Sequence, residues 1–339
     1  MIVLAYTMSF PAYLRHMLIR AKHHALAITL LCISSYGNAQ SYPAKTVRLI
    51  VPFPTGGGTD AMARFAAQKL TVALGRQFVV DNRAGAGGAI GAELAAKSAP
   101  DGYTLLQAGV ATHAVLPHLK KNLPYDPLKD FDAVCLMATA PAMLAVHPSL
   151  PVRNLREFLA LARARPGQID YAFSGHGSSA HLSAELFKSL SKSPLVGVPY
   201  KGVGPGLNDV LAGQVQVIFN AAGALLPHVK SGRLRALGIG STQRIAVMAE
   251  LPTIAEAGVP GYQAGSWYGF VAPAGTPRNI IALLNKETVA AIRSADLTAK
   301  LIADASLPIA STAEEFGAHI RDEHARIGKV IREARISLE

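Results

Sequence analysis

The stretch RLIVPFPTGGGTDAMARFAAQKL, residues 48–70, decides the fold. Val47, Leu49 and Val51 belong to a nearly uninterrupted apolar run, as in a strand buried on both faces. The run breaks at Pro52-Phe53-Pro54 and passes through Thr55-Gly56-Gly57-Gly58-Thr59-Asp60. Met62, Phe65, Ala66, Leu70 and Ala73 then fall at helical spacing, and Gly75 stands where a C-cap belongs. The unit is strand, glycine loop, helix. Three glycines let backbone N–H groups approach a ligand closely, and Thr59 or Asp60 is expected to cap a helix whose positive dipole end faces the loop. Such a loop suits an anion, and it equally serves as a tight turn. No Lys-Ser or Lys-Thr pair follows the last glycine, which argues against a nucleoside-triphosphate site.

The unit recurs along the chain. A second strand is predicted over 77–82, a second glycine loop over 83–88, a helix over 89–98, and a third strand over 104–108. Strand–helix alternation at this spacing predicts a parallel sheet with right-handed crossovers. Gly85, Gly87 and Gly91 approach a dinucleotide-binding fingerprint. They follow the second strand rather than the first, however, and no acidic residue ends a strand about twenty positions later, so turn and packing is the better reading. Thr112 and His113 come where the third strand opens. His113 is a candidate ligand contact or general base, or a ring that bonds to a neighbouring loop. Apolar residues over 132–138 and 142–146, broken by Pro141, can carry the chain from one domain into another.

A helix over 152–164, with Asn154 as N-cap, leads to a strand over 169–173 and then to Ser174-Gly175-His176-Gly177-Ser178-Ser179. This repeats the opening logic before a helix over 180–189. Two such loops, one from each domain, would face each other across a cleft outside the carboxyl ends of the strands. Further strands are predicted over 195–200, 215–219, 234–239 and 267–272, and helices over 207–212, 276–291 and 311–336. Thr312 and Glu315 form a capping-box pattern, and Asn220 offers an amide at the same cleft edge.

The first 39 residues carry basic Arg15, Arg20 and Lys22, a short apolar run over 25–33, and the small residues Gly37-Asn38-Ala39. That is the pattern of a secretory signal peptide cleaved after Ala39, with translation starting at Met1, Met8 or Met17. Those three cations bring the formal charge of the remainder from +11 to +8. The positive charges are spread singly rather than clustered as on a DNA-binding face, so a small anion is the favoured partner and nucleic acid is not. Loss of Cys32 with the leader leaves Cys135 without a disulfide partner, in an apolar run where burial is expected.

No metal site is predicted, because His113, His118, His147, His176, His181 and His228 are scattered and HExxH is absent. GxSxG is absent too. A hydrolase built from Ser178 and His181 is an open alternative, against which a serine three residues before the histidine at a helix start reads as a cap. Thr55, Thr59, Thr112, Ser174, Ser178 and Asn220 supply the converging polar groups that a binding protein needs.

With those residues in place, the chain resembles the solute-binding receptors of the tripartite tricarboxylate transporter family, the Bug receptors. The matching motifs include YPAKTVRLIVPFPTGGGTDAMAR (42–64), VVDNRAGAGGAIGA (79–92), VPYKGVGPGLNDVLAGQV (198–215), LPTIAEAGVPGY (251–262) and WYGFVAPAGTP (267–277). The resemblance implies a periplasmic, two-lobed type II binding-protein fold, each lobe a mostly parallel sheet flanked by helices. Residues 41–140 and 262–339 would form one lobe and 141–261 the other. It implies a non-enzymatic monomer without cofactor that closes over a small organic carboxylate and hands it to membrane transporter subunits, or alternatively reports it to a sensor kinase. By position, ligand contacts carry over to Phe53, Thr55, Gly57, Asp60, Thr112, His113, Ser174, Gly175, Ser178 and His181. The chain departs from the family at Asn220, where an aspartate is frequent, and at His176. Loss of the aspartate would favour plain carboxylates over ligands with an amino group.

Overall fold

The apolar run around Leu49 forms strand β1 (Val47–Val51), buried along nearly its whole length. The computed structural model describes residues 42–334, 336 and 337, so the signal-peptide, cleavage and start-site readings lie outside the described residues. β1 leads through the glycine loop into α1 (Gly58–Leu74), which buries Met62, Ala63, Ala66, Ala67 and Leu70 and ends at a left-handed Gly75. β2 (Phe78–Asn82), α2 (Ala89–Ala96) and β3 (Thr104–Ala108) follow, and β2 and β3 flank β1 in parallel. The glycines between β2 and α2 serve turn and packing. A Cβ at Gly91 would lie 2.9 Å from both the Arg83 carbonyl oxygen and Pro52 Cα.

After β3 come a buried π-turn (Ala111–Val115) and the short α3 (Leu116–Leu119). Next, β4 (Phe131–Val146) runs without interruption through Pro141, where the sequence predicts a break. Its first half pairs antiparallel with the late strand β9 (Gly265–Pro273). Its second half pairs antiparallel with β7 (Val217–Ala221) and β8 (Arg235–Ile239). Pro141 sits where these partners change, a position at which the missing N–H disrupts no regular ladder. The next residue, Ala142, donates its N–H to the Ala264 carbonyl at 3.0 Å.

Between β4 and β7 lie α4 (Leu155–Ala164), β5 (Asp170–Phe173), α5 (Ser179–Ser191), β6 (Val196–Pro199) and α6 (Val203–Leu211). β5 pairs in parallel with β6 and β7. α7 (Ala222–Lys230) precedes β8, and β9 is followed by α8 (Arg278–Arg293), α9 (Ala295–Ala303), the short β10 (Leu307–Pro308) and α10 (Ala313–Glu333). The strand order is β2-β1-β3-β9-β4-β7-β5-β6, with β8 and β10 also paired to β4. Two parallel wings are thus joined by an antiparallel pair. A chain that enters the second wing and returns must cross in opposite directions, which sets β4 against β9. This is a two-lobed α/β fold with a mixed sheet.

β4 shows why its sequence is apolar at every position beyond Pro141. Leu144 and Val146 face a core with Phe158, Phe187 and Phe219, whereas Met143 and Ala145 face another with Ile218 and Leu225. In the first wing, Ile50, Leu106, Trp267, Val271 and Phe316 share one core. The expected caps are present. Asn154 accepts from the Glu157 N–H, and Thr312 and Glu315 form a reciprocal capping box. α7 and α9 have no counterpart in the sequence reading, because Gly223 and Pro227 in α7 are poor helix signals.

Candidate ligand-binding cleft

The loop after β1 is held by a closed polar network. Asp60, 4% exposed, accepts from Gly56 N–H at 3.0 Å, Arg64 Nε at 3.0 Å and Asn82 Nδ2 at 2.9 Å. Asn82 Nδ2 also donates to the Phe53 carbonyl at 3.0 Å, and an Arg64 Nη donates to Asn82 Oδ1 at 3.0 Å. Burial by itself would raise the Asp60 carboxyl's pKa, but donation from Arg64, Gly56 and Asn82 outweighs it and holds the group below its ordinary value. The N-cap of α1 is Gly57, with no side-chain cap, so neither Thr59 nor Asp60 takes the capping role expected of them. Asp60 reaches back to brace the loop, and its oxygens are already engaged. Arg64 and Asn82 escape a motif reading because their partners lie up to 29 residues away in sequence.

Thr112 and His113 are fully buried in the π-turn. Thr112 Oγ1 lies 3.2 Å from the Gly109 carbonyl and 2.9 Å from His113 Nδ1. The His113 ring packs beside Phe131 and Trp267, with centroids 5.2 and 6.0 Å away. Desolvation, reinforced by His324, lowers its pKa to about 3, so the ring is neutral at working pH. In this conformation His113 is a core histidine and does not line the cleft. The Thr112 methyl instead lies beside Gly88, which also packs against the Phe53 ring.

In the second wing, Ser178 caps α5 by accepting the His181 N–H at 3.1 Å. The His181 ring stacks on Phe173 at 4.7 Å, and burial lowers its pKa to about 4. Ser178 meets the backbone of His181 rather than its ring, an arrangement that offers no serine–histidine proton transfer. Ser174 and Gly175 are half-buried and His176 is exposed. Asn220 is 9% exposed and its Oδ1 accepts from Ala221 N–H at 2.8 Å. The wings approach each other at two loops. A Cβ at Gly87 would lie 2.9 Å from the His176 carbonyl oxygen, and one at Gly202 would lie 3.4 Å from Pro54.

A cavity of about 160 Å³ lies where α1 and α7 begin, one helix from each wing. Gly57, Ala61, Ala221, Gly223, Tyr268 and Asp304 are among its walls. Neither helix has a side-chain cap, so both present backbone N–H groups and positive dipole ends at this end of the cleft. Of the expected ligand residues, Gly57 lines this cavity. Thr55, Ser174, Gly175 and His176 are at least partly exposed, and Phe53 is half-buried. A larger concavity of about 1290 Å³ lies elsewhere, among Pro127, Asp132, Arg278, Asn285, Glu314 and Arg321. It touches none of the cleft loops. Among the described residues no cluster of three or more His, Cys, Asp or Glu is arranged to hold a metal ion.

The sequence profile described as the tripartite tricarboxylate transporter family receptor matches residues 62–336. The chain belongs to this family. BugT of Bordetella pertussis is 40% identical to this receptor over 303 residues, covering 89% of the chain and 93% of BugT. An R. palustris protein solved with adipate superposes with a TM-score of 0.84 at 38% identity, covering 87% of the receptor and 99% of that protein. MatC from Rhodopseudomonas palustris, solved with bound malate, gives 0.81 at 33% identity, covering 86% of the receptor and all of MatC. The receptor therefore has the fold of periplasmic solute-binding proteins. Tyr268 and Asp304 lie outside the residues to which sequence reasoning points. Tyr268 is hidden in the WYGF strand, and Asp304 lies in a segment without a motif.

Proposed function

We propose that this receptor acts outside the cytoplasm, in the periplasm, capturing a small organic carboxylate between lobes divided near residues 140 and 262 and delivering it to a membrane transporter. The observation that carries the reading is the cavity bounded by two uncapped helix starts, one from each wing. Converging N–H groups and dipoles favour a carboxylate there, and contributions from both wings make binding favour the closed arrangement. At about 30 Å³ per water, the cavity holds roughly five waters or a small acid. The relatives solved with adipate and malate support the same ligand class. The capping role of Ser178 supports binding without turnover.

The test is thermal unfolding of the purified receptor with and without aliphatic, aromatic, hydroxy and amino carboxylates. A ligand at one hundred times its Kd is expected to stabilise by about 2.7 kcal/mol, or roughly 5–10 °C in midpoint. The ligand should be recovered intact afterwards. No shift with any carboxylate overturns the reading, and consumption of the ligand replaces it with an enzymatic one. Among ligands that shift the midpoint, plain carboxylates should exceed their amino analogues, as expected of a chain with Asn220.

A further inference from the structure

Two side chains on the cavity are unused by the fold. Tyr268, on β9, is 5% exposed, and its hydroxyl makes no hydrogen bond within the described protein. The hydroxyl lies 2.8 Å from where a Cβ at Gly58 would stand, beside the first turn of α1. Asp304, at the end of α9, is exposed to solvent at the rim of this cavity, and among the described residues its carboxylate has no hydrogen-bond or ion-pair partner. Its backbone abuts the start of α7, since a Cβ at Gly223 would lie 2.3 Å from the Asp304 carbonyl oxygen. A buried phenol donor and an unpaired carboxyl therefore share a small space with two helix N-termini.

Resting on the receptor reading above, we propose that Tyr268 and Asp304 complete the ligand site, Tyr268 donating to a ligand carboxylate and Asp304 binding beside it as the neutral acid. Two carboxylates in one small site cannot both stay ionised cheaply, so a proton from solvent enters with the ligand. The surroundings of Asp304 favour this. α1 presents Ala61, Met62 and Phe65 and no charge, α7 presents backbone, and β9 presents the neutral Tyr268. The nearby cation, Lys300 on α9, lies over the Phe65 ring at 3.5 Å. Burial already raises the Asp304 pKa against the opposing pull of Lys300, and burial together with Asp304 pushes Tyr268 up to about 12, which keeps the phenol a donor.

Calorimetric titration with adipate, malate, succinate and benzoate, in buffers of different ionisation enthalpy, counts the protons taken up. The wild type should take up a substantial fraction of one proton per ligand near pH 6.5 and bind several-fold tighter at pH 5.5 than at pH 7.5. Asp304→Asn should still bind but lose that uptake and flatten the pH profile. Comparison of the two proteins cancels any titration of the ligand itself. Tyr268→Phe should weaken binding about tenfold or more while leaving proton uptake in place. Binding with the same proton count in wild type and Asp304→Asn, or a Tyr268→Phe affinity within about twofold of wild type, overturns this proposal and leaves the receptor reading intact. Failure of these four acids and of every other carboxylate in the thermal-unfolding panel to bind the wild type overturns both.

Discussion

His113 gives the residue scale its sharpest consequence. Its folded-state pKa of about 3 lies well below the ordinary 6.5, so the unfolded chain takes up a proton that the native core refuses. Stability is therefore lost as pH falls below 6.5, by about 2 kcal/mol between pH 7 and pH 5 for this group. Urea unfolding at the two pH values should show that loss in the wild type and a correspondingly smaller one in His113→Gln. Asp60 works in the opposite sense. Its depressed carboxyl stabilises the fold above the ordinary value of 3.8 and gives that stability up as acid protonates it further down. Asp60→Ala should cost about 3 kcal/mol at neutral pH, because it leaves the Gly56 N–H, Arg64 and Asn82 without their shared acceptor. It should also weaken carboxylate binding by freeing the glycine loop.

At the scale of elements, helix starts and glycine loops divide the labour. Ser178→Ala removes the cap of α5 and should lower stability by about 1 kcal/mol, measured by chemical denaturation. If Ser178 were instead a nucleophile, the substitution would abolish a reaction. Gly87 has φ 73 and faces the His176 carbonyl across the cleft. Gly87→Ala therefore adds both backbone strain and a clash where the wings meet. The expected outcome is a loss of carboxylate affinity of about tenfold, whereas ~1 kcal/mol of strain by itself would lower folding stability and leave the affinity of the folded protein unchanged. Equal ligand affinity in Gly87→Ala and wild type would show that this contact plays no part in closure.

For the whole molecule, β4 is the decisive feature. Sixteen residues run through both wings, and their side chains enter the cores on either side. Neither wing can unfold and leave the other's central strand intact. Calorimetry should accordingly show one cooperative transition, and ligand should move it as a unit. Two separated transitions, with only one moved by ligand, would contradict this coupling.

The sequence by itself determined the strand–loop–helix unit, the burial of β1 and β4, the caps at Asn154, Ser178 and Thr312, and the family. These rest on local periodicity and side chains a few residues apart, which a linear reading contains. It misread Pro141 as a break because a proline's cost depends on whether its N–H has a partner to lose. It misread Asp60 as a helix cap and left the direction of His113 open, because a polar residue near a cleft loop can turn either way, and its direction is set by distant partners such as Asn82, Trp267 and His324. Only the tertiary structure brought Tyr268 and Asp304 to the starts of α1 and α7. Desolvation and charge proximity, which decide their chemistry, are properties of that meeting in space rather than of either segment.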